Sequence, residues 1–382
     1  MMSSRWTVSL LLVICLSSAS APAQTMNVLF NFTPGTTGNG NYPITLIHGP
    51  NGSYYGATYF GGANNAGVVF QMNPPAAAGD PWTETILYSF GSDEALPDQL
   101  VLDKDGVLGI PGALYGTTNN SQFLFQLTPP DGGRIWGYTV IRVGEALGLV
   151  ISPQGVLYGT ETESDQLFQL SQSGGAWTFT PLYTFSGQYE TPTSLTLDSA
   201  GNLYGTDREG GSGYGEVIKL VPPSVPGGAW TETVLHTFMG NDGSYPSAII
   251  VGEQGNLFGT TQQGGGHKNG GVVWRLAPSS GGTYSYRVLY RFTGGSSNDS
   301  EPTGLTFYRN ALYGFTAYVR GTIYKLTISS GTVTKTTLFN FEPAPGGYDP
   351  AGAPLLASDG SIFGVTEDGG TGLAGTFYQF VP

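Results

Sequence analysis

"GNLYGT" at Gly201–Thr206 returns as "GVLYGT" at Gly155–Thr160 and as "GNLFGT" at Gly255–Thr260. Its central aromatic-glycine step also stands at Tyr55-Gly56, Tyr115-Gly116, Tyr313-Gly314 and Phe363-Gly364, making seven copies at intervals of 43 to 60 residues. A period of this length marks a repeat architecture in which each period is one supersecondary unit. A second element follows every copy: "GVVFQM" from Gly67, "QFLFQL" from Gln122, "DQLFQL" from Asp165, "GEVIKL" from Gly215, "GVVWRL" from Gly271, "GTIYKL" from Gly321 and "GTFYQF" from Gly375. A third comes next, as in "NVLFNF" from Asn27, "TILYSF" from Thr85 and "RVLYRF" from Arg287, with one degraded copy, "TVIRV", at Thr139. A fourth precedes the aromatic-glycine step, as in "LVLDKDG" from Leu100 and "SLTLDSAG" from Ser194.

Each period therefore reads as four short strands, here lettered a to d. Tight turns join a to b at Asp105-Gly106, Gly201-Asn202, Gly255-Asn256 and Asp359-Gly360, where glycine supplies a positive φ. Four strands per unit, seven times, specify an all-β, seven-bladed β-propeller of four-stranded blades. The phase of the termini predicts how it closes. The chain after residue 24 begins with a strand d (Asn27–Phe32) and ends on a strand c (Gly375–Phe380). The N-terminal strand is thus expected to complete the last blade, with residues 24–382 forming one domain. Strand b is buried on both faces, and its glycine is expected to admit a large side chain from the neighbouring blade.

The run "LYGT", then "GG", "G-x-V-F-x-L" and "V-L-Y-x-F", resembles the choice-of-anchor tandem repeat GloVer proteins over Met26 to Pro382. The resemblance implies an exported bacterial repeat protein without an assigned activity, often carrying a C-terminal surface anchor. No hydrophobic segment or basic tail follows Phe380 here, so release or periplasmic residence is the expectation.

Residues Met1–Ala23 read as a secretory leader. They hold an early Arg5, an apolar run at Val8–Leu16 too short to span a bilayer, and small residues with Ala-x-Ala before Gln24. The only cysteine, Cys15, lies inside that leader, and Ile14 before it argues against lipidation. The exported chain then has no disulfide and rests on packing. Glycine at 60 residues, 25 prolines and 42 Tyr plus Phe fit the all-β reading. A net charge of −13 argues against nucleic acid and anionic lipid as partners. A monomer without membrane insertion is expected.

Three histidines, His48, His236 and His267, lie in different elements without ligand spacing, so no metal, cofactor or catalytic residue is assigned. Carboxylates gather instead in the connections from d to a: Asp93, Glu94 and Asp98, Glu190, Asp242, Asp299 with Glu301, and Asp349. With strand a innermost, these connections share one face with the glycine-rich b–c loops and form an acidic rim around the channel mouth. Loop aromatics Tyr59, Phe60, Tyr189, Tyr214, Tyr245, Tyr318 and Tyr348 belong to that face. Aromatic platforms beside acids suit sugars. The candidate ligand contacts are Asp242, Tyr245, Asp299, Glu301 and Tyr348. They define a binding propeller for a glycan or an extracellular protein; the alternative is a hydrolase or lyase of extracellular polysaccharide using loop carboxylates.

Overall fold

The computed structural model describes residues 24–382 apart from 35–38, 93–95, 120–121, 133–134, 187–190, 226, 267, 330 and 344–345. The leader, Asp93, Glu94, Tyr189, Glu190 and His267 therefore lie outside the described residues. Seven antiparallel four-stranded sheets are arranged as a ring. Blade 1 comprises Gly40–His48, Tyr54–Gly61, Val68–Asn73 and Thr83–Ser89. The degraded copy "TVIRV" lies in the strand Gly137–Val143, which is strand d of blade 2. The turns from a to b use the glycines expected, with φ of 85° at Gly201 and 72° at Gly255.

Blade 7 takes its strands a to c from Tyr348–Leu356, Ile362–Asp368 and Thr376–Val381, and its strand d from Thr25–Asn31 at the other end of the chain. The closing ladder pairs Asn27 with Gln379 and Val28 with Tyr378. Asn31 Oδ1 also accepts the Thr371 N–H at 2.9 Å.

The strands a of successive blades contact one another, so strand a is innermost. They approach so closely that a Cβ on Gly304 would lie 2.0 Å from the carbonyl oxygen of Gly352 in the next blade. Thr45, Gln99, Gly148 and Ser194, one from each of the first four blades, line one side of the central channel.

The aromatic-glycine step has a different partner from the one expected. In six blades the glycine faces, as its nearest side chain, the aromatic directly opposite on strand c of its own blade; at Gly364 the neighbouring blade's Phe315 also comes within 3.2 Å of the Cβ position. The pairs are Gly56 with Phe70, Gly116 with Phe125, Gly159 with Phe168, Gly259 with Trp274, Gly314 with Tyr324 and Gly364 with Tyr378. A Cβ on any of these glycines would come within 2.2–2.5 Å of that aromatic side chain. The pleat sends paired residues to the same side of the sheet, so the large ring lies over the residue it is paired with. All six aromatics are fully buried. Blade 4 has Ile218 opposite Gly205, and there Pro192 and Leu195 fill the space.

Two further contacts stitch blades together, and they occur at the same five seams. The phenylalanine just after strand d packs edge-to-face on the strand-c aromatic of the next blade: Phe90 on Phe125, Phe292 on Tyr324, Phe341 on Tyr378 and Phe32 on Phe70, with Phe238 tilted on Trp274. Centroids lie 5.1 to 6.1 Å apart, within the favourable range for such pairs, about 0.5–1.5 kcal/mol each. At those seams a positive-φ glycine just before strand c also receives the proline that opens the next blade. Pro97, Pro246, Pro302, Pro350 and Pro43 stand against Gly67, Gly215, Gly271, Gly321 and Gly375. The residue before each proline has φ between 55° and 65°, and its N–H donates to the carbonyl of the residue before the glycine, as Glu301 does to Gly270 at 3.0 Å.

The seams from blade 2 to 3 and from 3 to 4 lack both devices. Gln122 and Asp165 replace the glycine, Gly144 stands where the phenylalanine would follow strand d of blade 2, and Phe185 meets a blade whose strand c carries Ile218.

Candidate functional site

Strand a enters each blade at one end of the channel, where the d–a and b–c loops converge. There the ladder of blade 7 sets Tyr348 opposite Asp368, and that of blade 1 sets Asn41 opposite Phe60. Tyr42 packs edge-on against Phe60 at 5.8 Å, and Tyr59 adjoins it. Three carboxylates of blade 7 crowd beside these rings. Burial, then the charge of Asp368, then that of Glu301, push the Asp349 carboxyl up to about 6. Burial, then Asp349 and Asp368, push Glu367 up to about 7. Across the mouth, burial and Glu145 of blade 3 raise Asp98. Tyr59 lies between these groups, its phenol raised by burial and then by Asp98 and Glu367. The channel mouth is thus rimmed by carboxylates from blades 6, 7, 2 and 3, with tyrosines between them. Such groups accept hydrogen bonds from hydroxyls, and a carboxyl titrating near 7 can also deliver a proton at neutral pH.

The five residues singled out from the sequence divide. Glu301 and Tyr348 stand in this cluster. Tyr348 has its phenol raised chiefly by Asp368. Asp242 and Asp299 are turned outward and have partners. Asp242 accepts the Met239 N–H at 2.8 Å and meets His236 Nε2 at 3.0 Å, and that imidazole stacks on Tyr286 at 3.6 Å. Asp299 is paired with Lys335 of the outer strand of blade 6. Tyr245 is half-buried, φ 55°, with the Arg208 guanidinium 5.4 Å over its ring. Glu367, Asp368 and Tyr42 were not among those five. The signal for the acids is "FGVTED", where strand b ends in two carboxylates; the signal for Tyr42 is the same Tyr-Pro step that marks Tyr245.

The geometry is that of a seven-bladed propeller with an acidic, aromatic channel mouth. Residues 145–378 match the model of the Gloeobacter/Verrucomicrobia repeat, and the chain belongs to that family. The motif copies around Tyr55 and Tyr115 extend the same unit to blades 1 and 2, ahead of the matched stretch. No curated protein sequence matches the chain. Among solved structures, a streptogramin B lyase superposes with a TM-score of 0.62 at 14% identity, over 94% of this chain and 97% of that one. An inactive variant of virginiamycin B lyase from Staphylococcus aureus, solved with quinupristin, gives 0.61 at 14% identity over 94% and 100%. PorZ, a bacterial surface component of the type-IX secretion system of Porphyromonas gingivalis, gives 0.56 at 15% identity over 90% of this chain and 48% of that one. At such identities the likeness is one of fold. Among the described residues no helix is long and apolar enough to cross a membrane.

Proposed function

We propose that this is an exported binding propeller that recognises a polyhydroxylated ligand, a glycan or the glycan of an extracellular protein, at the channel mouth. The supporting observation is the convergence of Asp349, Glu367, Asp368 and Glu301 with Tyr42, Tyr59 and Tyr348 on one face. Elsewhere the blades repeat for packing, and a rigid scaffold lets loops carry function. Export rests on the leader-like Met1–Ala23 and is compatible with the family.

A second reading, a polysaccharide hydrolase or lyase, draws on one observation: Glu367 holds its proton up to about 7, as a general acid requires. The experiment is a glycan array followed by a turnover screen of the bound polysaccharides. Tyr348→Ala and Glu367→Gln are each expected to weaken binding about tenfold, or about 1.4 kcal/mol. Opposite-face controls are exposed c–d residues, Ile135 and Val225, rather than Trp82 and Trp230, which are packed against Tyr54 and Tyr158. Binding that survives both mouth variants and fails in the controls would overturn the reading. Turnover abolished by Glu367→Gln would favour the enzyme.

A further inference from the structure

We propose that the seam between blades 3 and 4 is a second binding site, flanking the channel mouth at Thr162, which donates to Glu145 of the rim, and that it takes one or two neutral sugar units. It does not rest on the reading of the channel mouth. At five seams a glycine-proline contact and an aromatic pair close the gap between blades. At this one Asp165 replaces the glycine, the residue before Pro192 has no positive φ, and Ile218 replaces the ring. A cavity of about 510 Å³ opens at that place. It lies within the range of about 300–1,000 Å³ typical of small-molecule sites.

Its wall comes from three segments: Thr162 and Asp165 of the b–c loop of blade 3, Thr191 and Thr193 entering blade 4, and Asp207 to Glu209 at the end of strand b of blade 4. These side chains are held in place. Thr191 Oγ1 donates to Asp165 Oδ1 at 2.8 Å, and Asp207, 2% exposed, accepts the Glu209 N–H at 3.0 Å. The Thr193 N–H is tied to the Thr206 carbonyl at 3.0 Å, and Arg208 rests over Tyr245. Tyr245 is thereby a positioning residue for the one cation of the wall.

The chemistry selects the ligand class. Among the described residues of the wall, three carboxylates against one guanidinium disfavour an anionic ligand. A purely apolar ligand would strip water from carboxylates and hydroxyls without replacing their hydrogen bonds. A neutral sugar matches: its hydroxyls donate to Asp165 and Glu209, and its oxygens accept from Arg208 and the threonines.

The test uses the whole protein and four probes: cellobiose, maltose, N,N′-diacetylchitobiose and, as anionic control, a galacturonic acid dimer. Saturation-transfer NMR at millimolar sugar, then calorimetry, should show binding of at least one neutral disaccharide and none of the acid. Thr193→Trp, which fills the cavity, should abolish that binding. Arg208→Ala, at an exposed position that leaves folding intact, should weaken it about tenfold. Tyr348→Ala and Glu367→Gln should leave it unchanged, which separates this site from the channel mouth. The proposal is overturned if no neutral disaccharide binds, if the acid binds better, or if Arg208→Ala binds as tightly as the parent.

Discussion

Replacing Gly314 by alanine isolates why the aromatic-glycine step recurs. The three atoms nearest a Cβ built there all belong to Tyr324: Oη at 2.3 Å, Cζ at 2.4 Å and Cε1 at 3.0 Å. Carbon atoms in ordinary contact stay about 3.5–4.0 Å apart, so the ring would have to move by about 1 Å. It has nowhere to go, being fully buried and edge-to-face with Phe292 at 5.1 Å. Over-packing of this kind costs about 1–3 kcal/mol. Gly314 has no positive φ, so alanine suits its backbone and by itself favours the folded state by about 0.4–1 kcal/mol through the unfolded chain. The two effects separate in a double-mutant cycle with Tyr324→Ile, isoleucine being what blade 4 carries at this position. Gly314→Ala should destabilise the parent by about 1–3 kcal/mol. In the Tyr324→Ile background it should be neutral or stabilising by up to about 1 kcal/mol, a coupling of about 1–4 kcal/mol. Urea unfolding of the four proteins, followed by tryptophan fluorescence, measures this. An equal cost of Gly314→Ala in both backgrounds would refute the assignment of the glycine to its own blade's ring.

Tyr378→Phe should leave the melting temperature unchanged or raise it, because the buried hydroxyl has no hydrogen-bond partner among the described residues and its removal relieves a desolvation cost of about 1–3 kcal/mol; a clear fall in thermal scans contradicts this. Glu367 and Asp349 both have folded-state proton affinities raised above ordinary carboxylates, so their contribution is fully favourable below about pH 4 and is lost as pH rises through about 6 and 7. Glu367→Gln should therefore stabilise at pH 8 by roughly 1 kcal/mol, after discounting for partial exposure, and change little at pH 4; equal effects at both pH values in paired denaturation curves argue against the cluster. Deleting residues 24–32 removes strand d of blade 7 and bares the edge of Thr376–Val381, so the melting temperature should fall and dimers should appear in size-exclusion chromatography. An unshifted, monomeric deletion protein would show that closure contributes nothing.

Periodicity alone determined the architecture. Seven aromatic-glycine steps, the a–b turn glycines and a chain that starts on strand d and stops on strand c leave one consistent arrangement, because register and blade count follow from hydrophobic alternation and turn chemistry along the chain. What the seven copies could not show is which residues meet across a gap. The ring over Gly314 belongs to Tyr324 on the adjacent strand, a fact of pleat and pairing that sequence spacing does not carry. The same limit governed the candidate site. Asp242 and Asp299 look like Glu301 in the sequence, all acids in loops entering a blade. Only the packing of neighbouring strands gives the first two His236 and Lys335 as partners and leaves Glu301 with Asp349 at the channel mouth. Two substitutions legible in the sequence, Asp165 for glycine and Ile218 for an aromatic, acquired a meaning only in three dimensions. They fall on opposite sides of one seam: Asp165 lines the cavity there, while Pro192 and Leu195 fill the space beside Ile218, and neither outcome is encoded in a single repeat.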